Sequence, residues 1–231
     1  MSRKVRSTIH PFEEPLATHW HSPGKRIASF DPDTVFRRAI DDHLHVIEQL
    51  SQQQHLLESI AARMIEALLS GGKVFWCGNG GSAADCQHLA AEFVGRFRRE
   101  RRGLASIALT TDTSILTAIG NDYGFDEIFR RQVEALCAPG DVLVAISTSG
   151  KSSNVCTALN QAKKMGVFTV GFTGSGGGEV ARICDIALTV ASEETARIQE
   201  AHIVVGHLLC DCVDLALYSS DAGWRETSDE R

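Results

Sequence analysis

The chain has 231 residues, of which 43% are hydrophobic and 23% charged, enough for one large globular domain with a sizeable core. A formal net charge of −6 offers no global attraction to nucleic acid or to an anionic membrane surface, and neither partner is expected. An 18-residue apolar span and a signal-peptide core are both missing, and the seven cysteines (77, 86, 137, 156, 184, 210 and 212) contain no C-x-x-C pair, which predicts a soluble, cytoplasmic protein with reduced thiols.

Residues 1–31 mix Pro, His and both charge signs without a sustained period and read as a poorly ordered arm, with the folded domain occupying 32–231. From Asp33, apolar residues at Val35, Ala39, Ile40, Leu44 and Ile47, then at Leu56, Ile60, Met64 and Leu68, follow helical spacing. A polar break at Ser51 to Gln54 and a Gly71-Gly72 stop divide them into two helices. The pattern then alternates: strand 74–77, helix 82–99, strand 106–109, short helix 114–119, helix 126–136 and strand 142–146. It continues with helix 152–165, strand 169–173, a glycine turn at 174–178, strand 186–190 and a long helix 195–217. The basic residues from Arg96 to Arg102 read as a charged helix face. Strands alternating with helices predict an α/β fold with a five-stranded parallel sheet flanked by helices, ligands binding at the carboxyl ends of the strands.

Asp141 to Asn154 reads DVLVAISTSGKSSN: a buried strand that stops in a hydroxyl-rich turn at the mouth of a helix. Ser147, Thr148, Ser149 and Ser152 beside unpaired helix N–H groups suit a phosphate, although a strand–turn–helix merely capped by Ser152 has the same signature. Cys77-Gly78-Asn79-Gly80-Gly81-Ser82-Ala83 formally satisfies G-x-G-x-x-A, but no acidic residue ends the next strand at the spacing a dinucleotide requires. A tight turn remains that brings backbone N–H groups, Asn79 and Ser82 to a polar ligand, with a helix cap at Ser82 as the plainer alternative. His88 and Glu92 are spaced i, i+4 and share a helix face. Gln199 and His207 stand about 80° apart around the last helix and about 12 Å along it, with His202 near the same face. A carboxylate and an imidazole are the minimum for moving a proton between adjacent carbons.

The segments CGNGGSAADCQHLAAEFVGRF, AIGNDYGF, GDVLVAISTSGKSSNV and ARIQEAHIVVGH, in that order, resemble the bacterial phosphoheptose isomerases of the sugar isomerase (SIS) fold over about residues 34 to 218. The resemblance implies conversion of sedoheptulose 7-phosphate to D-glycero-D-manno-heptose 7-phosphate, with Glu92 as general base and His207 as its partner acid. It also implies one zinc ion per subunit on His88, Glu92, Gln199 and His207, and a phosphate cradle of Ser147, Thr148, Ser149 and Ser152. Asn79, Gly80, Gly81, Ser82, Thr111 and Asp112 would hold the open-chain sugar together with Glu92 and Gln199, and the implied assembly is a homotetramer. Some family members carry Asp where this chain has Ala196, and Glu193 or Glu194 is the available substitute for that contact. A rival from another class is a non-catalytic SIS protein that binds a replication initiator; such relatives tend to lose the acid or the base, and this chain keeps both. A sugar-phosphate-sensing module of a regulator is disfavoured because no DNA-binding segment accompanies the domain.

Overall fold

A computed structural model describes residues 31–218. The predicted arm lies outside the described residues, apart from Asp31. The chain divides into two units at Arg37, and the second, Arg38–Arg231, holds the sheet and every helix after the first.

The elements are α1 (Pro32–Leu50), α2 (Gln54–Leu69), β1 (Val74–Gly78), α3 (Gly81–Val94), β2 (Ser106–Ala108), α4 (Thr113–Tyr123), α5 (Arg130–Leu136), β3 (Val142–Ser147), α6 (Ser153–Lys164), β4 (Phe168–Thr173), α7 (Gly178–Ile183), β5 (Ile186–Thr189) and α8 (Thr195–Tyr218). The polar break after α1 is a short 3-10 turn, Ser51–Gln53. Five strands form one parallel sheet in the order β2-β1-β3-β4-β5, as the alternation predicted.

Every residue of β1 and β3 is buried because helices cover both faces of the sheet. Alternate side chains feed two cores. Val74, Trp76, Val142, Val144 and Ile146 pack with α2, α3 and α8, while Phe75, Cys77, Leu143 and Ala145 pack with α5, α6 and α7. Each fully buried large side chain contributes roughly 1.5–3 kcal/mol, so the central strands anchor the loops that leave their carboxyl ends. The cysteines are free thiols; Cys77, Cys86, Cys137 and Cys210 are buried in the core, whereas Cys156 and Cys184 are half-buried and Cys212 is exposed, so a reading of all seven as core residues does not hold.

Three sequence expectations are corrected. The helix after β1 ends at Val94 rather than Arg99, with Gly95 donating to the Ala91 carbonyl. The arginine run is therefore a loop and not a helix face; the Asp214 carboxylate takes the backbone N–H groups of Arg98 and Arg99, a long-range contact that local periodicity cannot show. A short helix, α7, starts inside the glycine turn expected at 174–178 and extends beyond it. Finally, α8 does contain an 18-residue window of mean hydropathy 1.4, contrary to the expectation that no such span exists. That window is half buried, and the helix also encloses His202 and Asp214, which marks it as a core helix.

Candidate active site

From β1 the chain passes to β2 on one side, while β3 lies on the other, so the carboxyl ends of β1 and β3 flank a topological switch point. Gly78 pairs with Ile146 there, which brings the turn before α3 alongside the turn before α6. The Ser147 and Ser152 hydroxyls bond each other at 2.9 Å, and the Ser149 hydroxyl accepts the Lys151 N–H at 3.2 Å. Ser152 precedes α6 yet makes no side-chain capping bond, so the plain capping alternative does not describe this turn. Gly150 sits at φ +65°, and a Cβ there would lie 2.2 Å from the Gly177 carbonyl oxygen, so the hydroxyl turn and the glycine turn after β4 meet backbone to backbone. The Val180 N–H donates to the Gly150 carbonyl at 2.9 Å and ties the two together.

Thr148, Ser149 and Lys151 open onto a cavity of about 230 Å³ that Ser175, Ser192, Glu193, Thr195 and Ile198 complete. Ser175, Ser192 and Thr195 carry no motif and escaped sequence reasoning; only the closure of the glycine turn and the lead into α8 brings them here. Of the two candidates to replace the missing Asp at position 196, Glu193 lines this cavity.

Before α3, Asn79 and Asn154 exchange reciprocal amide hydrogen bonds of 2.9 Å and clamp the two turns together, a partnership the sequence did not reveal. Gly80 occupies the position just before the helix and Ser82 is buried inside its first turn, so Ser82 is not the cap. The Gln199 amide packs against Gly81, where a Cβ would come within 2.3 Å of its nitrogen. Thr111 and Asp112 are exposed beyond β2; the Thr111 hydroxyl donates to Ala108, and Asp112 caps α4 by accepting the Ile115 N–H at 2.9 Å.

The titratable cluster lies elsewhere. His88 and Glu92 on α3 meet His207 on α8: the Nε2 atoms of His88 and His207 are 2.8 Å apart, and His88 Nε2 is 3.4 Å from Glu92 Oε1. Their ligand atoms all fall within 4.8 Å of one another, and the Phe97 ring stacks on His207 at 5.4 Å. Two imidazoles and a carboxylate form a mixed N/O set that suits Zn²⁺. Asp85, one turn before His88, was not singled out in the sequence; burial raises its pKa against the opposing pull of His88, and its buried Oδ2 has no hydrogen-bond partner among the described residues. His202 does not join the group. It is fully buried, with Nε2 3.2 Å from the Thr173 carbonyl.

Glu92 follows Gly81 by three helical turns, about 16 Å along the axis. Its end of α3 faces the start of β2, where the Leu104 N–H bonds the Phe93 carbonyl at 2.9 Å. Within one chain, then, the hydroxyl turn and the Glu92 cluster occupy opposite ends of the strands.

The SIS domain family matches residues 36–174. The phosphoheptose isomerase of Roseiflexus sp. is 56% identical over 192 residues, covering 81% of this chain and 98% of that protein. The chain belongs to the phosphoheptose isomerase family. Solved structures agree with this membership. The family's enzyme from Neisseria gonorrhoeae superposes with a TM-score of 0.76 at 43% identity over 80% of this chain and 99% of that one. The phosphoheptose isomerase from Francisella tularensis gives a TM-score of 0.73 at 36% identity, over 79% and 95%.

Proposed function

We propose that this protein is a ketose–aldose isomerase that converts sedoheptulose 7-phosphate to D-glycero-D-manno-heptose 7-phosphate in heptose biosynthesis. The observation that carries the chemistry is the meeting of Glu92 and His207 across α3 and α8 in a chain 56% identical to a phosphoheptose isomerase. Glu92 takes the C1 proton, giving an enediol, and returns a proton to C2. His207 protonates the C2 oxygen and relieves the C1 hydroxyl of its proton. Ser147, Thr148, Ser149 and Ser152 hold the phosphate, while Asn79, Gly80, Gly81, Ser82, Thr111, Asp112 and Gln199 line the sugar. A zinc ion on His88, Glu92, Gln199 and His207 would polarise the oxygens of the enediol segment. Nothing in the site favours a protein that only binds a replication initiator.

The working unit in this reading is a cytoplasmic homotetramer whose sites are shared between subunits. The turn before α3, which lies alongside the hydroxyl turn, and Glu92 are at opposite ends of α3, with Gly81 and Glu92 about 16 Å apart along its axis, whereas a seven-carbon chain and its phosphate ester reach about 10 Å. A base from one subunit facing a cradle from another removes that mismatch. The same argument accounts for Gln199, whose amide rests on Gly81 and not beside His207.

In deuterium oxide, wild-type protein should form the aldose with deuterium at C2 and exchange deuterium into C1 of the remaining ketose. Glu92→Gln and His207→Asn should each lower kcat by at least about 10²-fold with binding retained. A wild-type protein that binds the ketose phosphate without product or exchange would overturn the reading. Chelation should lower the rate and added Zn²⁺ restore it; active protein that holds no zinc and ignores the chelator would remove the metal and leave the isomerase standing.

A further inference from the structure

The loop after α3 carries a buried ion pair that takes no part in the proton transfer between C1 and C2. Arg101 and Asp214 have side-chain exposures of 1% and 0%, and the Arg101 Nε–H donates to Asp214 Oδ1. The rest of the guanidinium grips the end of α3: Nη2 donates to the Glu92 carbonyl at 2.8 Å, and Nη1 donates to the carbonyls of Phe93 at 2.8 Å and Gly95 at 3.3 Å. The second oxygen of Asp214 accepts the N–H groups of Arg98 at 3.0 Å and Arg99 at 3.3 Å. A cation at a helix C-terminus satisfies carbonyls that have no partner within the helix and opposes the negative end of its dipole.

The positions at the two ends of this network matter. Glu92 itself supplies one of the gripped carbonyls. Asp214 lies two helical turns beyond His207, so the two project from nearly the same face of α8. The remaining arginines of the loop reinforce the join, since Arg98 and Arg99 both bond Asp211, one turn before Asp214. The fork therefore spans the two helices that carry the proposed base and acid.

We propose that Arg101 and Asp214 are positioning residues that set Glu92 against His207 by locking the end of α3 to α8. The proposal rests on the isomerase reading. A buried pair is a costly way to gain stability, because well-packed apolar residues of similar volume often do as well. What apolar residues cannot supply is a planar fork of donors that fixes three carbonyls to one carboxylate.

The test compares Arg101→Lys with the paired substitution Arg101→Met and Asp214→Leu, which removes the fork without leaving a buried charge alone. Both are assayed well below their melting temperatures with ordinary and C1-deuterated sedoheptulose 7-phosphate. The expected result is a fall in kcat of about tenfold to a hundredfold, the scale of a misplacement of roughly 1 Å. KM should be nearly unchanged, and the primary isotope effect on kcat should rise as proton transfer becomes limiting. A folded paired variant that keeps the wild-type kcat and isotope effect overturns the proposal. If the paired variant does not fold, Arg101→Lys decides alone, since it keeps the charge but not the fork. A wild-type protein inactive on this substrate would instead sink the isomerase reading, so the two failures are distinguishable.

Discussion

The Ser147 hydroxyl spends its one described hydrogen bond on Ser152, at the end of a strand where Ser147 pairs with Thr173 of β4. That leaves capacity to donate to and accept from a ligand. The double substitution Ser147→Ala with Thr148→Ala should raise KM for the heptulose phosphate at least tenfold, because each hydrogen bond to a charged group is worth about 1.5–3 kcal/mol. Unfolding temperature should stay close to wild type, and an unchanged KM would remove these hydroxyls from the cradle. His202 presents the opposite case, a titratable group held neutral. Burial lowers its pKa from 6.5 to about 4, only partly offset by the Thr173 carbonyl. The unfolded chain binds a proton between those values while the folded chain does not, so the stability from neutral His202 is complete above pH 6.5 and is lost as pH falls towards 4. The loss amounts to about 3 kcal/mol. Denaturant midpoints measured across that window should fall more steeply for wild type than for His202→Gln, and parallel curves would exclude His202 as the source.

At the scale of elements, α3 and α8 come together because of a residue with no side chain. A Cβ on Gly206 would lie 2.4 Å and 2.6 Å from the two methyl carbons of Leu89, which is fully buried and has nowhere to move. Gly206 and Leu89 are sequence neighbours of His207 and His88, so this close approach is what lets the two imidazoles meet. Gly206→Ala should destabilise the protein by about 1–3 kcal/mol through overpacking and lower kcat by widening the gap between Glu92 and His207. Calorimetry and steady-state kinetics on one preparation would show both effects, and a variant as stable and active as wild type would mean that the helices do not need this contact. The i, i+4 spacing placed His88 and Glu92 on one face from sequence alone, since helix geometry is local. Their partner His207 was named by the family resemblance and not by periodicity, because spacing along α8 does not say which of its faces meets α3. The same limit explains the misplaced end of α3. The basic run continues a helical charge pattern, and the carboxylate that takes its N–H groups, Asp214, is more than a hundred residues away.

For the whole molecule, the separation of hydroxyl turn and Glu92 cluster within a chain gives a direct test of assembly. Co-expressed Glu92→Gln chains and Ser147→Ala/Thr148→Ala chains, each weak alone, should regain activity in mixed oligomers, because some sites then combine an intact cradle with an intact base. If each site lay within one chain, no mixture would recover, and a light-scattering mass equal to one 25.1 kDa chain would exclude sharing altogether. Two apolar surfaces of the described residues are open for such contacts, the exposed Ile40 and Leu44 of α1 and the exposed Leu208 and Leu215 of α8.

Sequence by itself determined the alternation of strands and helices, the parallel sheet, the hydroxyl-rich turn after β3 and the pairing of His88 with Glu92. All of these rest on periodicity, turn chemistry or spacing within one element. The family resemblance had already named His207 with His88 and Glu92; tertiary structure alone decided that Asn79 is clamped by Asn154, that Gln199 rests on Gly81, and that Arg101 reaches from its loop to α3 and α8. Those contacts join residues far apart in the chain, and their partners are selected by how helices pack on the sheet. A pattern read along one segment carries no information about the segment lying against it.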